Sequence, residues 1–428
     1  MGTDVELVAG ARKADAPHAD TERTVGRGVP GIAARLVLQR LTAWREGSIL
    51  LELPDGTVRR YGDGRAERPV RVRVHDWRFF TRTLTGGDIG VGESYMEGEW
   101  DCSDLTELIR LFLIEQNVID HRSPWMWLSR VAHRARRILD ANTRSGSRRN
   151  IRYHYDLSNQ LFATFLDESL TYSSAVFSGS AASLADAQRE KIDGVCRALD
   201  LRPGQHLLEI GSGWGSLAMH AARAYGCRVT SLTLSKQQLR LARERARQAG
   251  LAERIDFRIC DYRDARGSYD HIVSIEMLEA VGAEYYRTFF QACDRLLRPG
   301  GRMFLQAITV PDQRFDAYRK QFDWIRKYIF PGGCLTSLGA INAALKKQTS
   351  FQIDWLRDIG PHYALTLRHW RERFLGRLPE VRRLGFGERF IRMWEFYLAS
   401  CEAAFATRYI GDVQMVLSRP LDPRPLPA

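Results

Sequence analysis

The sequence predicts an α/β fold of the Rossmann type, and three observations carry that expectation. The first is the run His206-Leu207-Leu208-Glu209-Ile210-Gly211-Ser212-Gly213-Trp214-Gly215, an apolar strand that ends in a Gly-x-Gly-x-Gly turn. Glycine suits such a turn because the chain must bend sharply and let a ligand approach its backbone, which a Cβ would prevent. The second is the recurrence of strand-like segments at Cys227–Thr233, Ile255–Cys260, Asp270–Ile275 and Gly301–Thr309, with helix-like stretches or loops between them. That alternation is the pattern of βαβ units and of a parallel sheet covered on both faces. The third is the placement of acids, Glu209 and Asp261, at strand ends. Ligands of such sheets bind in the crevice at the carboxyl ends of the strands.

Taken in order, each element has its own reason. The helix after the glycine turn offers unpaired N–H groups to a ligand. The segment Leu234–Gly250 reads as a helix because Ser235 is a good N-cap, Gln238 completes a capping box and Gly250 is placed to end it. Asp261-Tyr262-Arg263-Asp264 closes the third strand. A dinucleotide site prefers Gly-x-Gly-x-x-Gly and an acid at the end of the second strand. Here the third glycine comes one residue early, and the second strand ends in Thr233-Leu234-Ser235. Glu209 before the turn, with the acidic-aromatic pair after the third strand, reads instead as an S-adenosylmethionine site. The residues of this reading are Glu209, Gly211, Ser212, Gly213, Trp214, Gly215, Thr233, Leu234, Ser235, Gln238, Asp261, Tyr262 and Arg263.

Several further motifs lie in one consistent order. They are Gly92-Glu93-Ser94-Tyr95-Met96-Glu97-Gly98-Glu99-Trp100, His154-Tyr155-Asp156-Leu157, Thr171-Tyr172-Ser173-Ser174, Thr233–Gln238, Tyr328-Ile329-Phe330-Pro331-Gly332-Gly333 and Tyr397–Phe405. With the glycine turn, they resemble the cyclopropane-fatty-acyl-phospholipid synthases and mycolic acid cyclopropane synthases, over roughly residues 80 to 420. The resemblance implies a seven-stranded class I S-adenosylmethionine-dependent methyltransferase domain with a smaller N-terminal lipid-binding domain, and it adds Tyr172 and Ser173 to the residues expected to hold the cofactor. The expected division is a disordered start (1–28), an N-terminal lipid-facing domain (29–130), a basic linker (131–149), the catalytic domain (150–419) and a disordered tail (420–428).

Composition agrees with a globular protein of two domains: 428 residues, 44% of them hydrophobic. The seven cysteines show no Cys-x-x-Cys pair and no framework spacing, which suits a reducing cytoplasm. No apolar run approaches the ~18 residues of a membrane span. The net charge of +12 is uneven: Arg122 to Arg152 holds nine arginines against one aspartate, with Trp125 and Trp127 near its start. Such a segment suits anionic lipid headgroups; a solvated linker is the plainer alternative. No nucleic-acid-binding fold accompanies it, so nucleic acid is not expected as a partner. The expected location is the cytoplasm, peripheral to the inner face of the membrane. A homodimer is left open.

The substrate class that the resemblance implies, a cis-unsaturated phospholipid acyl chain, sets the chemistry. An isolated double bond is a poor nucleophile, so it needs an electrophilic methyl held at near-attack distance. The resulting carbocation needs aromatic faces and a dry pocket. The aromatic insertion from Phe315 to Leu338 is expected to roof that pocket. A base must then remove a proton. In the family a bound bicarbonate is thought to serve, held by Cys, Glu, His, Tyr and a backbone amide. Glu279, Tyr363 and Ile308 match three of these positions, while Ser174 stands at the cysteine and Gln306 at the histidine. Cys401 matches another family cysteine often described as catalytic, although an uncharged thiol is a poor base. Ser and Gln still hydrogen-bond an oxyanion, but Gln cannot relay a proton as His does. Cyclopropane formation is therefore the leading expectation. Methylation or methylenation without ring closure, with a reductase partner, is the alternative; a lipid- and cofactor-binding protein without turnover is a third.

Overall fold

A computed structural model describes residues 31–63, 68–115, 158–179 and 183–420. The basic stretch Arg122–Arg152 and the His154–Leu157 motif lie outside the described residues, as do residues 1–28 and 421–428 of the two ends expected to be disordered. Two sheets organise the remainder. The first contains β1 (Ser48–Glu52), β2 (Val58–Gly62), β3 (Val70–Val74) and β4 (Trp100–Cys102), in the order β2-β1-β3-β4. In β3, Val70, Val72 and Val74 turn inward while Arg71 and Arg73 face solvent, the period-two pattern of a half-buried strand. The helices Ile32–Leu41, Arg78–Met96 and Leu105–Ile114 share one apolar cluster with this sheet.

The second sheet has seven strands. These are β5 (His206–Ile210), β6 (Arg228–Thr233), β7 (Ile255–Ile259), β8 (Tyr269–Ile275), β9 (Leu297–Thr309), β10 (Gln352–Asp358) and β11 (Gly411–Ser418). Their order is β7-β6-β5-β8-β9-β11-β10. The first five are mutually parallel, and β11 enters antiparallel between β9 and β10. The expected fold class is the observed one, with strand ends shifted by at most four residues. The expected helix Leu234–Gly250 spans Lys236–Gln248, with Ser235 as its N-cap accepting from the Gln238 N–H.

The two sheets are joined by the helix Glu388–Ala406. Its Glu395 accepts from the Tyr95 hydroxyl at 2.9 Å, and its Arg392 donates to the Trp100 carbonyl at 2.7 Å. One hydrophobic cluster runs from the N-terminal sheet through this helix to the helices Asn159–Phe165 and Gly360–Gly376. The aromatic insertion is held to the N-terminal helix Arg78–Met96. Trp324 lies so close to Gly92 that a Cβ there would sit 2.4 Å from the indole ring. Tyr328 donates to Glu93 at 2.7 Å, and Lys327 pairs with the same carboxylate. Among the described residues no helix is long and apolar enough to cross a membrane.

Candidate active site

The strand order reverses beside β5, where β6 and β8 depart in opposite directions, so a ligand crevice is expected at the carboxyl ends of these strands. A crevice open to solvent on one side lies there. Tyr172, Ser173, Glu209, Gly211, Ser212, Gly213, Trp214, Thr233, Leu234, Gln238, Asp261 and Tyr262 line it. Three expected residues stand behind this lining. Gly215 has φ +88°, and a Cβ on it would meet the Phe257 ring at 2.9 Å. Ser235 is buried as a helix cap. Arg263 holds Asp261 through a two-pronged contact at 2.8 and 2.6 Å.

Gly213 is the converse of Gly215. It also has positive φ, but a Cβ there would find no protein atom within 4 Å. Its backbone is thus open to the crevice, the property a close ligand approach demands. Burial pushes the Glu209 carboxyl up to about 8, against the hydroxyl of Ser231 that donates to it. Lys191, which the sequence reading passed over, also lines the crevice. Its ammonium donates to Ser173 Oγ at 2.8 Å, and burial pulls it down to about 8 despite the surrounding acids. Glycine backbone, buried acid and polar helix start together fit S-adenosylmethionine.

The inner wall of the crevice carries Glu276, the first residue after β8. Its φ of +47° is left-handed, a conformation that costs a non-glycine residue about 1–2 kcal/mol. Strain of this kind persists where surrounding structure enforces it. Here the Glu276 N–H is fixed to the Gln306 carbonyl at 2.8 Å, and its carboxylate receives three donors. Oε1 accepts from the Ser174 backbone N–H at 2.8 Å and from Gln306 Nε2 at 2.7 Å. Oε2 accepts from the Tyr363 hydroxyl at 2.6 Å.

Ser174, Gln306 and Tyr363, three of the residues expected around a free anion, therefore converge on a carboxylate of the chain itself. Ser174 contributes its backbone, while its hydroxyl donates to the Ala175 carbonyl at 3.0 Å. Gln306 Nε2 also donates to Asp412 Oδ2 at 3.0 Å, and Gln414 Nε2 donates to Gln306 Oε1 at 3.0 Å. Glu279 and Ile308 pair with each other, the Ile308 N–H donating to the Glu279 carboxylate. Burial, and then the charge of Glu276, raise Glu279 to about 8. Burial also raises Glu276 against its three donors.

Aromatic rings adjoin this cluster. Tyr363 stacks on Phe405 at 4.4 Å and meets Trp370 edge-on at 6.0 Å. The Tyr172 and Tyr397 hydroxyls are 2.7 Å apart, and Phe330 packs against Tyr397 at 5.8 Å. Cys401 packs against the central hydrophobic cluster, and burial pushes its thiol up to about 12. It is not a base near neutral pH.

Glu276 was within reach of sequence reading, since it stands three residues before Glu279 in Ser274–Gly282. Lys191 had a signal too: it occupies the apolar face of the helix Leu184–Ala198, next to Ala187, Ile192 and Val195. Asp412 carried no local mark.

Comparison with known proteins follows the same lines. The mycolic acid cyclopropane synthetase family matches residues 142–415. The chain is 42% identical over 405 residues to the tuberculostearic acid methyltransferase UfaA1 of Mycobacterium tuberculosis, covering 92% of this chain and 94% of that one. It is 36% identical over 353 residues to the cyclopropane-fatty-acyl-phospholipid synthase of Escherichia coli, covering 82% and 88%. The solved mycolic acid cyclopropane synthase CmaA1, complexed with SAH and CTAB, is 31% identical with a TM-score of 0.59, covering 63% of this chain and 97% of that one.

Proposed function

Because this chain belongs to the mycolic acid cyclopropane synthetase family and is a lipid-modifying, S-adenosylmethionine-dependent methyltransferase, we propose that it methylates the cis double bond of an unsaturated phospholipid acyl chain with Glu276 as the base. The convergence of the Ser174 N–H, the Gln306 amide and the Tyr363 hydroxyl on the Glu276 carboxylate carries this reading.

The crevice residues from Tyr172 to Tyr262 hold the cofactor, with Gly213 giving close backbone approach. S-adenosylmethionine, when bound, supplies an electrophilic methyl to the π electrons of the chain. Positive charge then sits on the neighbouring chain carbon. The faces of Tyr363, Phe405, Trp370 and Phe330 attract it, and their apolar packing keeps water away. Glu276 takes the proton that neutralises it. If that proton leaves the new methyl as the carbon closes onto the cation, a ring forms. If a hydride first moves from the methylated carbon to its cationic neighbour, loss of a methyl proton gives an exocyclic methylene.

We favour the second outcome, the methylene branch. The family's bicarbonate needs free donors, yet those of Ser174, Gln306, Tyr363 and Ile308 already serve the carboxylates of Glu276 and Glu279. The long match to a tuberculostearic acid methyltransferase supports the same choice. A reductase would then complete the saturated branch. Access to such chains fits peripheral contact with an anionic membrane surface.

The test uses methyl-labelled S-adenosylmethionine, vesicles of a cis-unsaturated anionic phospholipid, and proton NMR of the released acyl chains. Vinylidene protons are expected; upfield ring protons would overturn the branch. Glu276→Gln should retain cofactor affinity and lose about 10²–10⁴ in kcat, the usual worth of a positioned base. Turnover at the wild-type rate would remove Glu276 from that role.

A further inference from the structure

We propose that Asp412 is the acid partner of Glu276, the two carboxyl groups sharing one proton beside the Gln306 amide. This rests on Glu276 being the base and goes beyond it, by assigning a second group to the same proton.

Geometry comes first. Along β9 and β11 the antiparallel register pairs Asp412 with Ile308 and Gln414 with Gln306. Residues opposite each other, and two apart, share one face of a sheet. Asp412, Gln414 and Gln306 therefore stand together on the face that meets Glu276. Gln414 fixes the orientation of the Gln306 amide, so its nitrogen faces both acids: Glu276 Oε1 at 2.7 Å and Asp412 Oδ2 at 3.0 Å. Asp412 also accepts the Ile359 N–H on its carbonyl at 2.7 Å. Ile359 immediately precedes the helix that delivers Tyr363. One residue of β11 thus touches two of the elements that build the base.

Protonation follows from this placement. Two carboxylates on one buried amide cannot both be ionised without strong repulsion. Glu276 has three donors, which favour its charged form. Asp412 has only the Gln306 amide, and among the described residues no donor reaches its Oδ1. Asp412 is wholly buried, so an ionised form with one bare oxygen would be costly. The proton therefore belongs on Asp412, which has an O–H to give to Glu276. Burial and the charges of Glu276 and Glu279 hold the Asp412 carboxyl well above its ordinary range. The other groups facing the pair are Lys191, whose cation suits a single negative charge there, and the Tyr363 hydroxyl.

The consequence is chemical. When Glu276 takes a proton from the substrate cation, the C–H pair becomes the new C–C bond or double bond, and the site ends with two neutral acids. The proton leaves Glu276 for solvent after product departs. Asp412 contacts neither substrate nor cofactor in this scheme; it positions and tunes Glu276.

Asp412→Asn tests the assignment, because Asn keeps the shape and the bond from Gln306 but holds no proton. In place of an acid O–H, the amide offers Glu276 only a weaker N–H donor. Glu276 then protonates more readily, and the acid limb of the kcat–pH profile should rise by about one pH unit. Affinity for S-adenosylhomocysteine and Tm should stay near wild type. Asp412→Ser, which likewise removes the second carboxyl, serves with the same expected shift if the Asn variant does not fold. An unchanged acid limb in a folded variant would overturn the pairing. If Glu276→Gln retains wild-type turnover, the base assignment itself falls; if it loses turnover while Asp412→Asn keeps the wild-type profile, only the pairing falls.

Discussion

The cofactor crevice and the proton-handling pocket share a wall at Glu276, yet they are built in opposite ways. The crevice also takes residues from Tyr172–Ser173, Thr233–Gln238 and Asp261–Tyr262, but its centre is one contiguous strand and turn, Glu209–Gly215, whose essential property is backbone shape. The pocket draws Ser174, Glu276, Gln306, Tyr363 and Asp412 from five separate segments, and its essential property is which hydrogen-bond donor faces which acid. A fold can therefore keep its cofactor while a few side chains redirect the fate of the substrate cation. Binding of the cofactor and choice of product should separate under mutation.

The largest effect is expected at Gly213. Gly213→Leu places a side chain in the open crevice without meeting protein atoms at its Cβ. Cofactor affinity should fall at least about 100-fold, or about 2.7 kcal/mol, while Tm drops by only a few degrees. Titration calorimetry with S-adenosylhomocysteine, beside a melting curve, checks both. Gly215→Leu sharpens the contrast: its Cβ is forced against Phe257, so stability should suffer first. If Gly213→Leu instead unfolds the protein, the turn serves structure rather than ligand approach.

A smaller and opposite effect is expected at Tyr363. Tyr363→Phe removes one of the three donors to Glu276 but leaves the ring stacked on Phe405. A hydrogen bond to a charged group contributes about 1.5–3 kcal/mol, so kcat should fall about 10- to 100-fold. The affinity for S-adenosylhomocysteine should not move. A changed affinity with intact kcat would mean that the two regions are not separable.

The same difference decides what was legible in the sequence. The glycine turn, the Ser235 cap and the strands β5 to β9 are local patterns, and each stands where the residues implied, within a few positions. The fold's last strands, β10 and β11, fall outside the regular strand–helix alternation; their place in the sheet is decided by the pairing of β11 with β9 and of β10 with β11. In the pocket, the sequence named Ser174, Gln306 and Tyr363 but not Glu276, the group they face; Glu279, also named, pairs instead with the Ile308 N–H. Spacing alone cannot say which of two acids three residues apart meets these three donors, and the left-handed backbone at Glu276 goes with that choice. Ser174 is instructive for another reason. Its contribution is a backbone N–H, so a side-chain difference at that position leaves the contact to Glu276 intact. Asp412 needs the register of β11 against β9 before its neighbours exist at all.

Cys401 should give the smallest effect, and it tests whether a family label or local chemistry is the better guide. A thiol must be ionised to act as a nucleophile or a strong base, and burial has pushed this one up to about 12. Near neutral pH it is therefore an uncharged, small hydrophobe packed against the central cluster. A thiolate beside a carbocation would, moreover, be alkylated by the charge the site exists to stabilise. Cys401→Ala should keep kcat within about threefold, a barrier change below about 1 kcal/mol, and lower Tm by a few degrees through the lost packing. A loss of turnover as large as that of Glu276→Gln, in a variant that melts like the wild type, would place the thiol in the reaction and shift the base away from Glu276.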